Sequence, residues 1–204
     1  MKSQPIAPAP RVLDRAVFLD KDGTLLVDVP YNVRPELMQL APGAREALQI
    51  FSRLEVPLYV ISNQSGVALG KFPVEALDAV EDRLHELVSE CGATLSGVYW
   101  CFHHPEGMVA PYNRSCDCRK PLPGMLLNAS DDHHIALASS WFIGDILDDV
   151  EAGNRSGCRT ILIDNGNETV WRRGPYREPL CLAPDLHEAA RVIEKATQTS
   201  ELVQ

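Results

Sequence analysis

Two aspartates two residues apart, Asp20 and Asp22, close the apolar run Val17-Phe18-Leu19 and precede Gly23-Thr24. Such a run reads as a buried strand, and Gly23 lets the backbone turn away at its end. Positions i and i+2 of an extended chain share a face, so both carboxylates face one pocket if the strand persists to Asp22. If the glycine bends the chain instead, Asp22 swings over Asp20 and its backbone carbonyl becomes available. Either geometry suits magnesium-dependent phosphoryl transfer. Mg²⁺ takes a few hard oxygen ligands plus water and phosphate, and its charge lets an unprotonated Asp approach an anionic ester. The alternative is a surface turn, because D-x-D-G also opens a calcium loop. A calcium loop needs more oxygen ligands and a closing glutamate, and Thr24-Leu25-Leu26-Val27 offers none.

A second set of reactive side chains lies at Cys101-x-His103 and Cys116-x-Cys118, joined by a loop holding Pro105, Gly107 and Pro111. Three thiolates and an imidazole are a preferred ligand field for structural Zn²⁺, and four protein ligands leave no open position for water. The expected role is to fold the loop and aim Arg119 and Lys120, which follow directly. His103 is the expected ligand and His104 the expected site-facing residue, although spacing does not separate neighbours. A disulfide between two cysteines, or simple packing, is the alternative. Cys91, Cys158 and Cys181 stand alone in apolar surroundings and are expected to be small buried residues.

The elements that must position these groups alternate. A loop over 28–42, punctuated by Pro30, Pro35 and Pro42, leads to a helix over about 44–54 with Ala44, Ala47, Leu48 and Phe51 on one face. A second strand over 57–63 ends in small polar residues. A loop over 64–71 follows, and Pro73 is expected to open a helix to about residue 90. A third strand covers 97–101, a helix 123–132, and a fourth strand 141–145, again ending in a carboxylate. A helix over 148–156 gives way at Gly157 to a fifth strand over 160–164, and a last helix covers 185–197. Solidly apolar strands alternating with helices predict an α/β fold: a Rossmann-like parallel sheet with helices on both faces. Asp20, Ser62 and Asp145 each fall at or just past the carboxyl end of a strand, the edge where such sheets bind ligands.

The 204 residues suit one domain, and 45% hydrophobic with 23% charged residues is ordinary for a soluble globular chain. No apolar run approaches the roughly 18 residues that span a bilayer. Residues 1–14 read as a loose Pro/Ala arm without the apolar region of a secretory signal, so a cytoplasmic location is expected. A net charge of −9 disfavours nucleic acid and anionic membranes as partners, while local Lys, Arg and metal charge still admit a small anionic substrate. Cysteines in such a chain are expected as thiols or ligands.

Asp20-Lys21-Asp22-Gly23-Thr24, Ser62-Asn63-Gln64-Ser65-Gly66, Cys118-Arg119-Lys120-Pro121 and Gly144-Asp145 with Asp149 resemble, in order, the four motifs of the haloacid dehalogenase superfamily of phosphatases. Within it the chain is most similar to the heptose bisphosphate and histidinol-phosphate phosphatases, over about residues 15–164. The resemblance implies that Asp20 attacks phosphorus and becomes an aspartyl phosphate. Asp22 would protonate the leaving alcohol and then activate water. Ser62 would hydrogen-bond the phosphoryl group, and Lys120 would offset the charge around Asp20. Asp20, the carbonyl of Asp22 and Asp145 would bind Mg²⁺. Asp149 would orient Lys120 or a metal-bound water, or else stand simply as a first-turn helix acid. The heptose enzymes carry a zinc loop of this Cys-x-His and Cys-x-Cys form, which implies Zn²⁺ on Cys101, His103, Cys116 and Cys118. Asp22, where phosphoenzyme-preserving relatives carry Thr, implies hydrolysis.

Neither interval between the first three motifs has room for a cap domain, which predicts a capless fold roofed by loops at about 28–32, 64–72 and 103–118. Thr24, Asp28, Tyr31, Ser62, Asn63, Gln64, Ser65, Arg119 and Lys120 are the expected substrate contacts, with Arg119 gripping a second anionic group or left as a solvated surface residue. The expected organisation is an arm over 1–14, one phosphatase domain over 15–198 and a tail over 199–204, acting as a monomer on a small phosphorylated sugar. The first expectation for that sugar is a heptose bisphosphate losing its 7-phosphate. Ile146 departs from the family, where Lys commonly follows the fourth-motif aspartate, and leaves the sugar open. Histidinol phosphate is the alternative substrate. A nucleic-acid end phosphatase would share the motifs, but no basic tract is present. A non-enzymatic scaffold is the reading from a different class, set against the presence of both Asp20 and Asp22.

Overall fold

The structure, a computed structural model, describes residues 15–201; the expected arm over 1–14 and residues 202–204 lie outside the described residues. The elements are β1 (Val17–Leu19), α1 (Ala44–Arg53), β2 (Leu58–Asn63), α2 (Ala76–Ser89), β3 (Leu95–Cys101), α3 (Gly124–His133), β4 (Trp141–Gly144), α4 (Leu147–Ser156), β5 (Arg159–Ile163), β6 (Cys181–Ala183) and α5 (Leu186–Glu201). The strands form one sheet in the order β3-β2-β1-β4-β5-β6, with every neighbouring pair parallel.

Side chains alternate between the faces of a strand, and the core divides accordingly. Val17, Leu19, Val60, Ile143 and Ile161 pack with Leu48 and Phe51 of α1, Leu84 of α2 and Ile193 of α5. Phe18, Tyr59, Ile61 and Phe142 pack with Met125 and Leu126 of α3 and Ala152 of α4. Helices therefore cover both faces, which is why the central strands β1 and β4 are apolar and buried at every position instead of every second one. No described helix is long and apolar enough to cross a membrane.

Register aligns the ends of the strands. Leu19 lies opposite Val60 on one side and Ile143 on the other. Asp20 follows Leu19, Ser62 stands two residues past Val60, and Asp145 two past Ile143, so all three emerge at one edge. There β2 and β3 run off to one side of β1 and β4 to β6 to the other, the crossover point where a parallel sheet opens a crevice.

Several expected boundaries shift. Helix α2 starts at Ala76, not at Pro73; residues 73–75 make a turn in which Ala76 N–H bonds to the Pro73 carbonyl at 3.1 Å. Strand β3 reaches back to Leu95, and β5 ends at Ile163, leaving Asp164 outside the strand. Helix α5 continues to Glu201 where a tail from 199 is expected. Strand β6 has no counterpart in the sequence reading: it is a three-residue edge whose Leu182 is exposed, too short and one-sided to leave a periodic signal. Cys91 and Cys158 are buried as expected, but Cys181, on that edge, is only half-buried.

Candidate active site

Strand β1 stops at Leu19, and the chain then folds back on itself. Asp20 N–H still bonds to the Ile143 carbonyl at 2.9 Å, while Leu26 N–H reaches the Lys21 carbonyl and Gly23 N–H the Leu26 carbonyl, both at 2.8 Å. The backbone therefore bends instead of continuing as a strand. Gly23 makes this possible in two ways. Its φ of +83° is open to glycine, and a Cβ there would stand 2.0 Å from Asp145 Oδ2.

The bend and the common sheet edge gather three carboxylates. Ligand oxygens of Asp20, Asp145 and Asp149 lie within 4.8 Å of one another, and all three residues are buried. Between them sits Lys120, its side chain 3% exposed, whose ammonium pairs with Asp20 and lies 2.6 Å from Asp149 Oδ1 and 3.1 Å from the Ile61 carbonyl. Asp149 Oδ2 accepts from Ile146 N–H at 3.3 Å, so Asp149 is committed to holding Lys120 and the start of α4. Three carboxylates facing one ammonium leave a formal excess of two negative charges in a desolvated place. Burial first, then opposed by Lys120 and reinforced by Asp149, pushes the Asp20 carboxyl up to about 7. Burial and the neighbouring Asp20 push Asp145 to about 7 as well. Hard oxygens carrying a charge deficit of two are the donor set of a small divalent cation.

The remaining expected residues divide by what they touch. Ser62 is buried beside this cluster, its hydroxyl accepting from Gln64 Nε2 at 2.9 Å. Gln64 Nε2 also lies 3.3 Å from Asp22 Oδ2, so this side chain spans Ser62 and Asp22. Asn63, expected to meet substrate, instead clamps the Lys120 backbone: its Nδ2 donates to the Lys120 carbonyl and its Oδ1 accepts from Lys120 N–H, both at 3.1 Å. Thr24 is buried with its hydroxyl 3.3 Å from Asp145 Oδ1, a support for that carboxylate more than a substrate contact. Arg119 Nη1 donates to Ser65 Oγ at 2.6 Å, which fixes the guanidinium at the rim and uses part of the Ser65 hydroxyl. Asp28 and Tyr31 lie exposed on the first roof loop, with the Lys71 ammonium 5.7 Å above the Tyr31 ring.

Two amides belong to the site without having been picked out in the sequence. Asn167 Nδ2 donates to Asp145 Oδ2 at 2.6 Å, and Asn165 Nδ2 to the Gly23 carbonyl at 2.8 Å. Both follow the end of β5, so the available signal was polar residues just past a strand end. Glu168 continues the set by accepting from Leu147 N–H at the start of α4, at 2.8 Å.

Beside Lys120 the sulfur cluster closes. Cys118 Sγ lies 3.1 Å from Cys116 Sγ, 3.2 Å from Cys101 Sγ and 3.4 Å from His103 Nδ1. Sulfurs at that separation are not bonded, because a disulfide requires about 2.05 Å. Burial, with Arg114 adding to it, lowers the His103 imidazole, which favours the neutral ring that a metal binds. His104 turns away, its Nδ1 accepting from Glu106 N–H at 3.2 Å.

Comparison with known proteins agrees with this geometry. The family model described as "HAD-hyrolase-like" matches residues 117–189. The D-glycero-beta-D-manno-heptose-1,7-bisphosphate 7-phosphatase of Escherichia coli K12 is 37% identical over 152 residues, 74% of this chain and 80% of that protein. The protein of the same name from Vibrio cholerae is 35% identical over 159 residues, 78% of this chain and 86% of that one. The D,D-heptose 1,7-bisphosphate phosphatase of B. bronchiseptica, solved with magnesium and phosphate, superposes with a TM-score of 0.77 at 28% identity, over 90% of this chain and 99% of that one.

Proposed function

The chain belongs to the haloacid dehalogenase-like hydrolases and is a phosphatase, and from that premise we propose that it removes the 7-phosphate of D-glycero-β-D-manno-heptose 1,7-bisphosphate through an aspartyl phosphate. The observation that carries the reading is the buried triad of Asp20, Asp145 and Asp149 around Lys120, set in a chain whose relatives bear that enzyme's name.

Asp20 supplies the nucleophilic oxygen, and Lys120 lowers the repulsion an incoming phosphate meets there. Ser62 donates to a phosphoryl oxygen. Asp22, at the mouth, gives its proton to the leaving sugar oxygen and later takes one from the water that attacks the phosphoenzyme. Asp20, the Asp22 carbonyl and Asp145 would hold Mg²⁺, which supplies the positive charge this site lacks when phosphate enters. Cys101, His103, Cys116 and Cys118 would hold Zn²⁺ as a structural ion, keeping Arg119 at the rim for the second phosphate.

Asp22→Asn is expected to lower turnover by about 10²–10⁴-fold, the usual contribution of a general acid–base group. Steady-state kinetics across pH checks this, and near-parental turnover throughout would remove the role. A stability prediction follows from the crowded carboxylates. Unfolded, Asp20 and Asp145 release their protons near 3.8; folded, near 7. Across that window the folded state holds protons the unfolded state has lost, so metal-free stability falls as pH rises from about 4 to 7. Mg²⁺ should then raise Tm by roughly 5–10 °C at pH 8 when present at about 100 times its Kd. At pH 5.5, where protons compete, the rise should be much smaller, and an equal shift at both pH values would count against the site.

The substrate is tested by comparing kcat/KM with magnesium for both heptose bisphosphate anomers and histidinol phosphate. A preference of several hundredfold for the β-bisphosphate is expected. An equal or reversed preference would withdraw the substrate while leaving the phosphatase.

A further inference from the structure

A buried cation sits next to the acid–base carboxylate, and the chemistry above gives it no part. The Lys21 side chain is 3% exposed, yet it lies in the one loop that also carries Asp20 and Asp22. Taking an ammonium out of water is costly unless a counter-charge meets it. Here the counter-charge is Asp22: Lys21 Nζ lies 2.5 Å from Asp22 Oδ1, while the carboxylate itself is about a third exposed at the mouth. Adjacent residues of a strand point to opposite faces, so the contact exists only because the chain bends at Gly23. The same bend fixes Lys21 from its backbone, through the Leu26 N–H bond to its carbonyl at 2.8 Å.

The second Asp22 oxygen is held too, by Gln64 Nε2 at 3.3 Å. Gln64 is itself tied to Ser62, the expected phosphoryl contact. Asp22 is thus gripped at both oxygens, from beneath by Lys21 and from the side by a residue anchored on the phosphoryl site. A carboxylate exposed to this extent would otherwise sample several rotamers, and proton transfer requires it within hydrogen-bond reach of one leaving oxygen.

We infer that Lys21 is a positioning residue for Asp22, fixing the carboxylate where it meets the leaving-group oxygen, with Gln64 holding the other side. The inference rests on the reading of Asp22 as leaving-group acid and goes beyond it by assigning what aims that acid. It makes a prediction that a merely structural role, or simple attraction for the substrate's phosphate, does not. Loss of aim matters when the leaving oxygen needs a proton, as an alkoxide does, and matters little for p-nitrophenolate, which departs unprotonated.

The experiment measures kcat/KM, which covers the steps through departure of the alcohol, for the sugar phosphate and for p-nitrophenyl phosphate. Parent, Lys21→Met, Lys21→Arg and Asp22→Asn are compared. The expected result is that Lys21→Met loses at least tenfold more on the sugar phosphate than on p-nitrophenyl phosphate, in the same direction as Asp22→Asn. Lys21→Arg should recover most of the difference. If Lys21→Met does not fold, Lys21→Gln, which keeps a donor of similar length, takes its place in the comparison. Equal losses on both substrates, or no loss, while Asp22→Asn still discriminates, would overturn the role of Lys21 alone. An Asp22→Asn variant that does not discriminate would instead remove the acid role on which the inference rests.

Discussion

Asp20→Asn should lower turnover by roughly 10⁴-fold or more, the scale seen when a covalent nucleophile is removed. The amide has the same shape but no anionic oxygen to bond phosphorus, so the first chemical step has no substitute. The same change should leave the fold intact. Lys120 keeps Asp149 at 2.6 Å and the Ile61 carbonyl at 3.1 Å, so its ammonium is not stranded. Removing one of three crowded carboxylates also takes away the repulsion from Asp20 that adds to burial in raising Asp145. The inactive variant is therefore expected to melt at or above the parent temperature in the absence of metal. A calorimetric scan beside the kinetics checks both halves, and turnover within a hundredfold of the parent would refute the nucleophile.

The second large effect is at the sulfur cluster. Cys118→Ser removes the sulfur that lies close to all three other members of the cluster, at 3.1, 3.2 and 3.4 Å. Burial and the neighbouring Cys118 raise Cys116, and the neighbouring Cys101 thiol and then burial raise Cys118, so in the absence of a cation these groups stay protonated and cannot replace a metal's grip on the loop. Structural zinc in small peptides contributes about 10–16 kcal/mol of apparent binding free energy, far more than any single contact of this loop. The expected outcome is loss of bound zinc together with at least a hundredfold fall in kcat/KM, because Arg119 and Lys120 follow Cys118 directly in the chain. The sheet should survive, since the loop lends its core only the partly buried Phe102 and Tyr112 on one face and Cys116 and Cys118 on the other, while the fully buried side chains come mainly from the strands and helices. Metal analysis with far-UV circular dichroism tests this, and a zinc-free protein of full activity would contradict it.

How much of this was legible in the chain depended on distance along it. Asp20, Ser62 and Asp145 could be placed because each terminates an apolar run, and the parallel register then does the rest. The two-faced core was legible for the same reason: Val17 and Leu19 on one side and Phe18 on the other are all apolar. Asn167 was not, because its bond to Asp145 spans 22 residues and depends on where a surface loop returns. Asn165 reaches Gly23 across 142 residues, and its place just past the end of β5 gives no sign of that partner. Asn63 and Thr24 sit inside recognised motifs, yet their side chains are used to hold Lys120 and Asp145, a distinction that only tertiary geometry makes. Lys21 was not picked out because lysine is rarely buried, and its burial follows from the turn at Gly23.

The role of Asp20 as a covalent nucleophile is tested most directly by the stereochemistry at phosphorus. With a substrate whose phosphoryl group is made chiral by one sulfur atom in place of oxygen and by oxygen isotopes, two successive in-line displacements, first by Asp20 and then by water, each invert the centre. Net retention is the predicted result. Net inversion would mean that water attacks the substrate directly, and Asp20 would then be a metal ligand or base without a covalent step.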